Sequence, residues 1–295
     1  MTIEAATLGP TAKGQSLGRD ALKRFFRHPT GMVGLFIVSF FVLASLLAPV
    51  LKPYDASRDR DLRARLAPPS AERWFGADEL GRDQFTRVWH GGRISLRVGL
   101  AAVTVAVVVG TLLGVLAGFF GGWLDTAVVW TMDILLAFPG VLLAIVIVAT
   151  LGPNLTNALI AISITQVPIY TRIMRSVVMS VREAEFVHGA RSLGARSFRI
   201  VMRHVLPNSL SPLIVQLTLS IGTAILDVAA LGFLGLGAQP PQPEWGLMIR
   251  DGFTQFVRAP WMSAFPGIAI FFSVVGFNLL GDAVRDVLDP RLRNV

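Results

Sequence analysis

Residues 31–51 form a run of 21 positions without one charged side chain. As a helix this run covers about 30 Å, the hydrocarbon thickness of a bilayer. It is longer than the apolar stretch of a secretory leader, so it is expected to remain as a membrane span. Comparable runs are expected to span at about 98–118, 127–151, from 157 past Pro168 to Arg172, 210–231 and 260–280. Charge makes up 16% of the chain, against about 25% in a soluble domain, and it is concentrated between the runs. The expected fold class is an all-α integral membrane protein of about six transmembrane helices.

Those runs divide the chain. Residues 1–30 form a basic N-terminal segment, 31–51 the first transmembrane helix and 52–93 a polar loop. Residues 94–284 form the core transmembrane domain, which includes the charged loop 172–208, and 285–295 form a tail. In the first segment Leu17, Ala21 and Phe25 recur at helical spacing among Arg19, Lys23, Arg24 and Arg27, which suits either a helix on an anionic lipid surface or a frayed basic tail.

Orientation follows from where Lys and Arg lie. With both ends in the cytoplasm, the N-terminal segment, the seven arginines of 172–203 and Arg285, Arg291 and Arg293 place fifteen positive charges inside. The reverse orientation places eleven inside: nine in loop 52–93, with Arg250 and Arg258. The N-in, C-in arrangement is therefore expected, with loop 52–93 extracytoplasmic. The net charge of +8 serves this topology, and no nucleic-acid partner is expected.

Several chemistries lack their residues. None of Lys13, Lys23 and Lys52 lies in a phosphate-binding Gly-x-x-x-x-Gly-Lys-Ser/Thr loop, so ATP hydrolysis is not expected on this chain. The chain has no cysteine, and His28, His90, His188 and His204 are dispersed, so neither a metal nor another cofactor is expected. A membrane-embedded hydrolase would need a nucleophile and base at matching depth, and the spans supply no such pair. A secondary transporter often shows inverted repeats, and none is evident.

The loop 172–208 carries the most specific pattern. Phe186, Ala190 and Leu193 repeat at helical spacing, as do Phe198, Val201, Met202 and Val205, so two short amphipathic helices are expected. Gly194 stands between them where a left-handed residue would turn the chain, and Pro207 is expected to end the second. Their apolar faces need a surface, either lipid headgroups or a partner protein.

This segment resembles the cytoplasmic EAA loop of bacterial ABC-importer permeases, Glu-Ala-Ala-x3-Gly-x9-Ile-x-Leu-Pro. His188 stands at the Glu position, Gly189 and Ala190 at the Ala positions, and Gly194, Leu206 and Pro207 at theirs, with His204 in place of Ile. The His-x-Leu-Pro-Asn ending resembles the dipeptide, oligopeptide and nickel branch. So do Trp74-Phe75-Gly76-Ala77-Asp78-Glu79-Leu80-Gly81-Arg82-Asp83, Asp133-Ile134-Leu135-Leu136-Ala137-Phe138-Pro139, Phe233-Leu234-Gly235-Leu236-Gly237 and Asn278-Leu279-Leu280-Gly281-Asp282. The order of elements is similar to the second permease of the pair such importers use.

The resemblance implies a type I ABC importer permease fold in a bacterial inner membrane. It implies one half of a pathway for peptides, nickel chelates or a related small solute. The implied partners are a second permease in a heterodimer, two cytoplasmic ATP-binding subunits and an extracytoplasmic substrate-binding protein, besides membrane lipid. It makes 172–208 a coupling loop, with His188, Gly189, Ala190, Arg191, Gly194, His204, Leu206 and Pro207 as its ATPase-coupling residues.

Two acids fall within expected spans. A carboxylate there faces the bundle interior or a pathway, or pairs with an arginine. Asp133 fits pairing near the cytoplasmic interface or a pathway role, and Asp227 fits a gate or helix packing. Gly110, Gly114 and Gly118 form small-xxx-small steps that suit close helix packing. Trp123, Trp245 and Trp261 are expected at the membrane interfaces.

Overall fold

The computed structural model describes residues 22–55 and 59–288. The N-terminal positions Leu17, Arg19 and Ala21, and the tail beyond Leu288, lie outside the described residues. The elements are α1 (Pro29–Leu51), a 3-10 turn (Leu62–Ala64), α2 (Gln84–Phe120), α3 (Gly122–Leu136), α4 (Gly140–Leu151) and α5 (Leu155–Arg182). Then come α6 (Glu185–Ser192), α7 (Ser197–Ile200), a π-turn (Val201–Val205), α8 (Leu206–Asn208), α9 (Leu210–Phe233), α10 (Trp245–Phe253) and α11 (Trp261–Leu288). Among the described residues there is no β-strand, only an isolated bridge between Ala77 and Asp83.

Helices α1, α2, α9 and α11 are each long and apolar enough to cross a membrane, and α3 with α4 makes a fifth candidate bent by 91°. Helix α5 has 28 residues, about 42 Å of rise, and is more polar because it carries Asn157, Gln166, Arg172 and Arg175. The expected all-α membrane architecture of about six helices is what these elements build.

Four boundaries differ from the sequence expectation, one of them being that α5 continues through Arg182, well into the stretch read as loop 172–208. Helix α2 starts at Gln84, inside the stretch read as loop 52–93, because two interactions make a charged beginning tolerable. The Asp83 carboxylate accepts from the Thr86 amide at 3.1 Å and caps the helix. Arg87 is buried against Asp78, itself 1% exposed, so its charge is neutralised without reaching solvent. The span expected over 127–151 is broken in two. Pro139 has no N–H to continue α3 and takes an extended conformation, which lets α4 leave at the steep angle. At the other end α11 continues through Leu288, beyond the expected start of the tail.

Helices α2 and α5 form the most extensive pair, and glycine makes their approach possible. A Cβ on Gly110 would stand 2.6 Å from the Tyr170 Cβ, one on Gly114 would stand 2.6 Å from the Thr171 carbonyl oxygen, and one on Gly118 would stand 2.8 Å from that of Arg175. Lipid tails are as apolar as leucine, so dispersion contacts at such close range, rather than apolar burial, hold helices together inside a bilayer. Helix α9 packs on both α2 and α11, and α1 rests on α11. Phe36, Leu112 and Trp130 point outward, as bilayer-facing side chains do.

Candidate functional site

Helix α5 ends at Arg182 and the loop begins with Glu183, which receives Arg182 Nε at 2.9 Å. That bond, with the charges of Arg182 and Arg191 nearby, holds the Glu183 carboxyl below its usual range. His188 Nε2 lies 3.6 Å from the same carboxylate. The position where the EAA pattern places an acid is thus a histidine with an acid beside it. Gly194 has φ +80°, the left-handed conformation the turn between α6 and α7 requires.

The two short helices exist, and most of the apolar face expected from the sequence stands open, with Val205 alone of that face turned fully inward. Val187, Ile200 and Val205 are the residues buried against the rest of the protein. Phe186, Phe198 and Met202 are exposed, and Leu193 is 91% exposed. Nothing lies within 4 Å of the place where a Cβ on Gly189 or Gly194 would be. Gly189, Arg191 and Leu193 thus stand on an open surface, with Ala190 half-buried beside them.

Pro207 stands at the close of the second helix, which ends one residue later at Asn208 before α9 begins at Leu210. It lies within α8, and the turn before it is widened, so that the Leu206 amide donates to the Val201 carbonyl five residues back. A proline cannot donate to the carbonyl four residues earlier, and its ring crowds that carbonyl, so a wider turn relieves both problems. Side chains then serve the loosened backbone. Asn208 Nδ2 donates to the His204 carbonyl at 2.6 Å, and Ser209 Oγ donates to the Val205 carbonyl at 2.9 Å. The His204-to-Asn208 segment is a self-capped joint between the loop and α9.

The two acids singled out from sequence are not brought together. Asp133 accepts from Arg172 Nη2 at 2.6 Å, with both side chains about half exposed. A second pair, Asp125 with Arg175, binds through two nitrogens, Nη2 at 2.7 Å. Together they tie α3 to α5. Asp227 is half-buried on α9 and meets the Gln166 side chain of α5, whose own Oε1 is buried without a partner among the described residues.

Residues 110–294 match the family described as the binding-protein-dependent transport system inner membrane component, and residues 16–69 match the N-terminal TM domain of oligopeptide transport permease C. The chain belongs to this family of ABC importer permeases. The permease is 51% identical over 277 residues to the dipeptide transport system permease protein DppC of Alkalihalophilus pseudofirmus, covering 94% of this chain and 90% of that one. It is 43% identical to the glutathione transport system permease protein GsiD of Escherichia coli, covering 92% and 89%. Its fold resembles the inward-facing MetNI methionine ABC transporter, with a TM-score of 0.53 at 20% identity over 69% of this chain and 95% of that one. It is a multi-pass inner-membrane component, and the ATPase activity of such importers lies in separate subunits.

Glu244 has a structural role in the permease that sequence reasoning missed. It is fully buried and accepts from Ser95 Oγ at 2.9 Å and from the Gly246 and Leu247 amides, each at 2.8 Å. Burial pushes its carboxyl above the usual range, against the opposing effect of those donors. Glutamate is an unusual helix N-cap, so Pro243-Glu244-Trp245 gave no capping signal. Trp245, expected at an interface, is wholly buried, with Nε1 donating to the Val88 carbonyl at 2.7 Å, whereas Trp123 is 80% exposed. Trp261 is partly buried and donates to the Ala77 carbonyl at 3.2 Å.

Proposed function

We propose that this permease moves dipeptides or similar short peptides inward as one half of a heterodimeric pathway. In this reading the part of 172–208 that follows α5, from Glu183 onward, is the docking element for the cytoplasmic ATP-binding subunits. The observation that carries it is the outward apolar row of Phe186, Leu193, Phe198 and Met202 on a loop anchored from behind by Val187, Ile200 and Val205. A cytoplasmic loop that presents such a row needs a protein groove to cover it. Arg191, Arg196 and Arg199 flank the row and suit acidic rims. The substrate class rests on the dipeptide and glutathione relatives, since glutathione is itself a small peptide.

The orientation that puts this loop in the cytoplasm has a direct test in a cysteine-free chain. Ser70→Cys and Ser197→Cys, made singly and treated on intact cells with an impermeant thiol reagent, should give labelling at position 70 and none at 197. Uptake of a radiolabelled dipeptide by proteoliposomes should require this chain, its second permease, the ATP-binding subunits and the binding protein together. Uptake that persists without the ATP-binding subunits, or labelling at 197 alone, contradicts the reading.

A further inference from the structure

Arg93 and Arg97 lie one turn apart on α2, both exposed, and neither has an acidic partner among the described residues. They line a cavity of about 630 Å³ between α2 and the start of α5, whose other walls include Val98, Leu155, Thr156 and Leu159. Positions four apart on a helix share a face, so both guanidinium groups serve one space. The α5 N-terminus adds to the positive potential there. Asn154 caps the Asn157 amide at 2.8 Å, while the amides of Leu155 and Thr156 belong to the first turn and have no helical acceptor. Both guanidinium groups are open to solvent beside apolar walls, so an incoming anion with an apolar body can meet charge and wall together.

We propose that Arg93 and Arg97 form a binding site for one oxyanion group, a carboxylate or a phosphate, carried on an apolar body. The planar guanidinium fork binds either group through paired hydrogen bonds, and the walls suit aliphatic substituents. Two sources present this chemistry: the terminal carboxylate of a passing solute and the phosphate of a lipid headgroup. Only the first rests on the transport reading above.

Phenylglyoxal modification of guanidinium groups, followed by peptide mass spectrometry, tests the site without any need for transport. The assembled transporter is held in dodecyl maltoside, which is uncharged and free of phosphate, and the exposed Arg258 is the internal control. Leucyl-leucine, leucyl-leucinamide and phosphatidylglycerol are added separately. Modification of Arg93 and Arg97 should slow about fivefold or more, the scale of one charge-assisted hydrogen bond, with leucyl-leucine or with phosphatidylglycerol. Leucyl-leucinamide should give no protection, and Arg258 should react at one rate throughout. Protection by the dipeptide assigns the site to solute, and protection by the phospholipid alone assigns it to lipid. In Arg93→Gln the protection of Arg97 should disappear. Equal rates under all three additions, or full protection of Arg97 in Arg93→Gln, overturn the proposal. A failure of peptide uptake in proteoliposomes would count against the transport reading and leave this measurement standing.

Discussion

Arg182 closes the end of a helix to which it does not belong: its Nη1 donates to the Phe119 carbonyl at 3.1 Å and reaches that of Gly118 at 3.4 Å. Those carbonyls lie in the last turn of α2, where a cation complements both the unpaired acceptors and the helix dipole. Arg182 is also the last residue of α5, directly before the loop. Displacement of the loop therefore pulls on α2 as well as α5. Arg182→Ala is expected to weaken this joint by about 1 kcal/mol and to lower uptake several-fold with assembly intact. Comparing uptake and ATP hydrolysis, with and without loaded binding protein, checks this; unchanged uptake contradicts the joint.

The exposed row on the loop makes a second prediction. Leu193→Asp replaces an outward leucine with a charge that a docked groove would have to desolvate, at a cost of several kcal/mol. Gly194→Val places a β-branched residue at φ +80° and strains the turn by about 1–2 kcal/mol. Both variants should insert in the membrane, and both should release the ATP-binding subunits during affinity purification or leave them unresponsive. Co-purification and uptake at wild-type levels would make the loop a lipid-resting helix pair.

Gly114→Val should be far more damaging to the fold than either loop change. Its Cβ would meet the Thr171 carbonyl oxygen at 2.6 Å and the Met174 Cβ at 2.7 Å, and neither can withdraw without separating α2 from α5. A loss of about 3 kcal/mol or more is expected, read as a lowered melting temperature or rapid degradation. Gly189→Ala, with open space around it, is the matched control and should melt like the wild type.

Substitutions at Glu244 should separate shape from charge. Glu244→Ala leaves the Gly246 and Leu247 amides and the Ser95 hydroxyl without their buried acceptor, at about 1–3 kcal/mol for each group, and the assembled permease should melt much earlier. Glu244→Gln keeps the volume and one acceptor oxygen and removes a buried charge, so it should lie close to the wild type. Since the folded carboxyl is raised, its contribution is fully present below the unfolded value near 4.5 and is lost as pH rises through the folded value. The gap between wild type and Glu244→Gln should accordingly narrow on acidification.

Asp83 titrates in the opposite sense. Burial raises its carboxyl, but the Lys52 ammonium at 2.7 Å and the Thr86 donors outweigh that effect and hold it below 3.8. Its stabilisation of the α2 cap is present above about 3.8 and is lost as pH falls through the lower folded value. Melting of wild type and Asp83→Asn at pH 7 and pH 3 checks this. The two should differ at pH 7 and converge in acid, and a constant difference contradicts the assignment.

The spans were legible because the membrane imposes one requirement, a charge-free length, that any reader of 31–51 can see. The glycine steps at 110, 114 and 118 were legible for a similar reason, since close packing needs a missing side chain. What was hidden depended on geometry that spacing alone does not give. Arg87 looked like a loop charge until Asp78 was found against it. Pro139 fell inside a run read as one span over 127–151, and only the geometry shows two helices at 91°. The loop's apolar periodicity was real, and it marks a face that this chain leaves largely uncovered. Val187, Ile200 and Val205 took the inner side, and the π-turn relieved the crowding before Pro207.

The outward row on the loop after α5 also bears on how the chain survives before assembly. With Leu193 at 91% and Phe198 at 77% exposure, an orphan subunit with its loop in the cytoplasm, as proposed, would display the kind of greasy segment that chaperones and proteases seize. Cellular abundance should therefore follow supply of the ATP-binding subunits, and a cell making this chain alone should hold little of it.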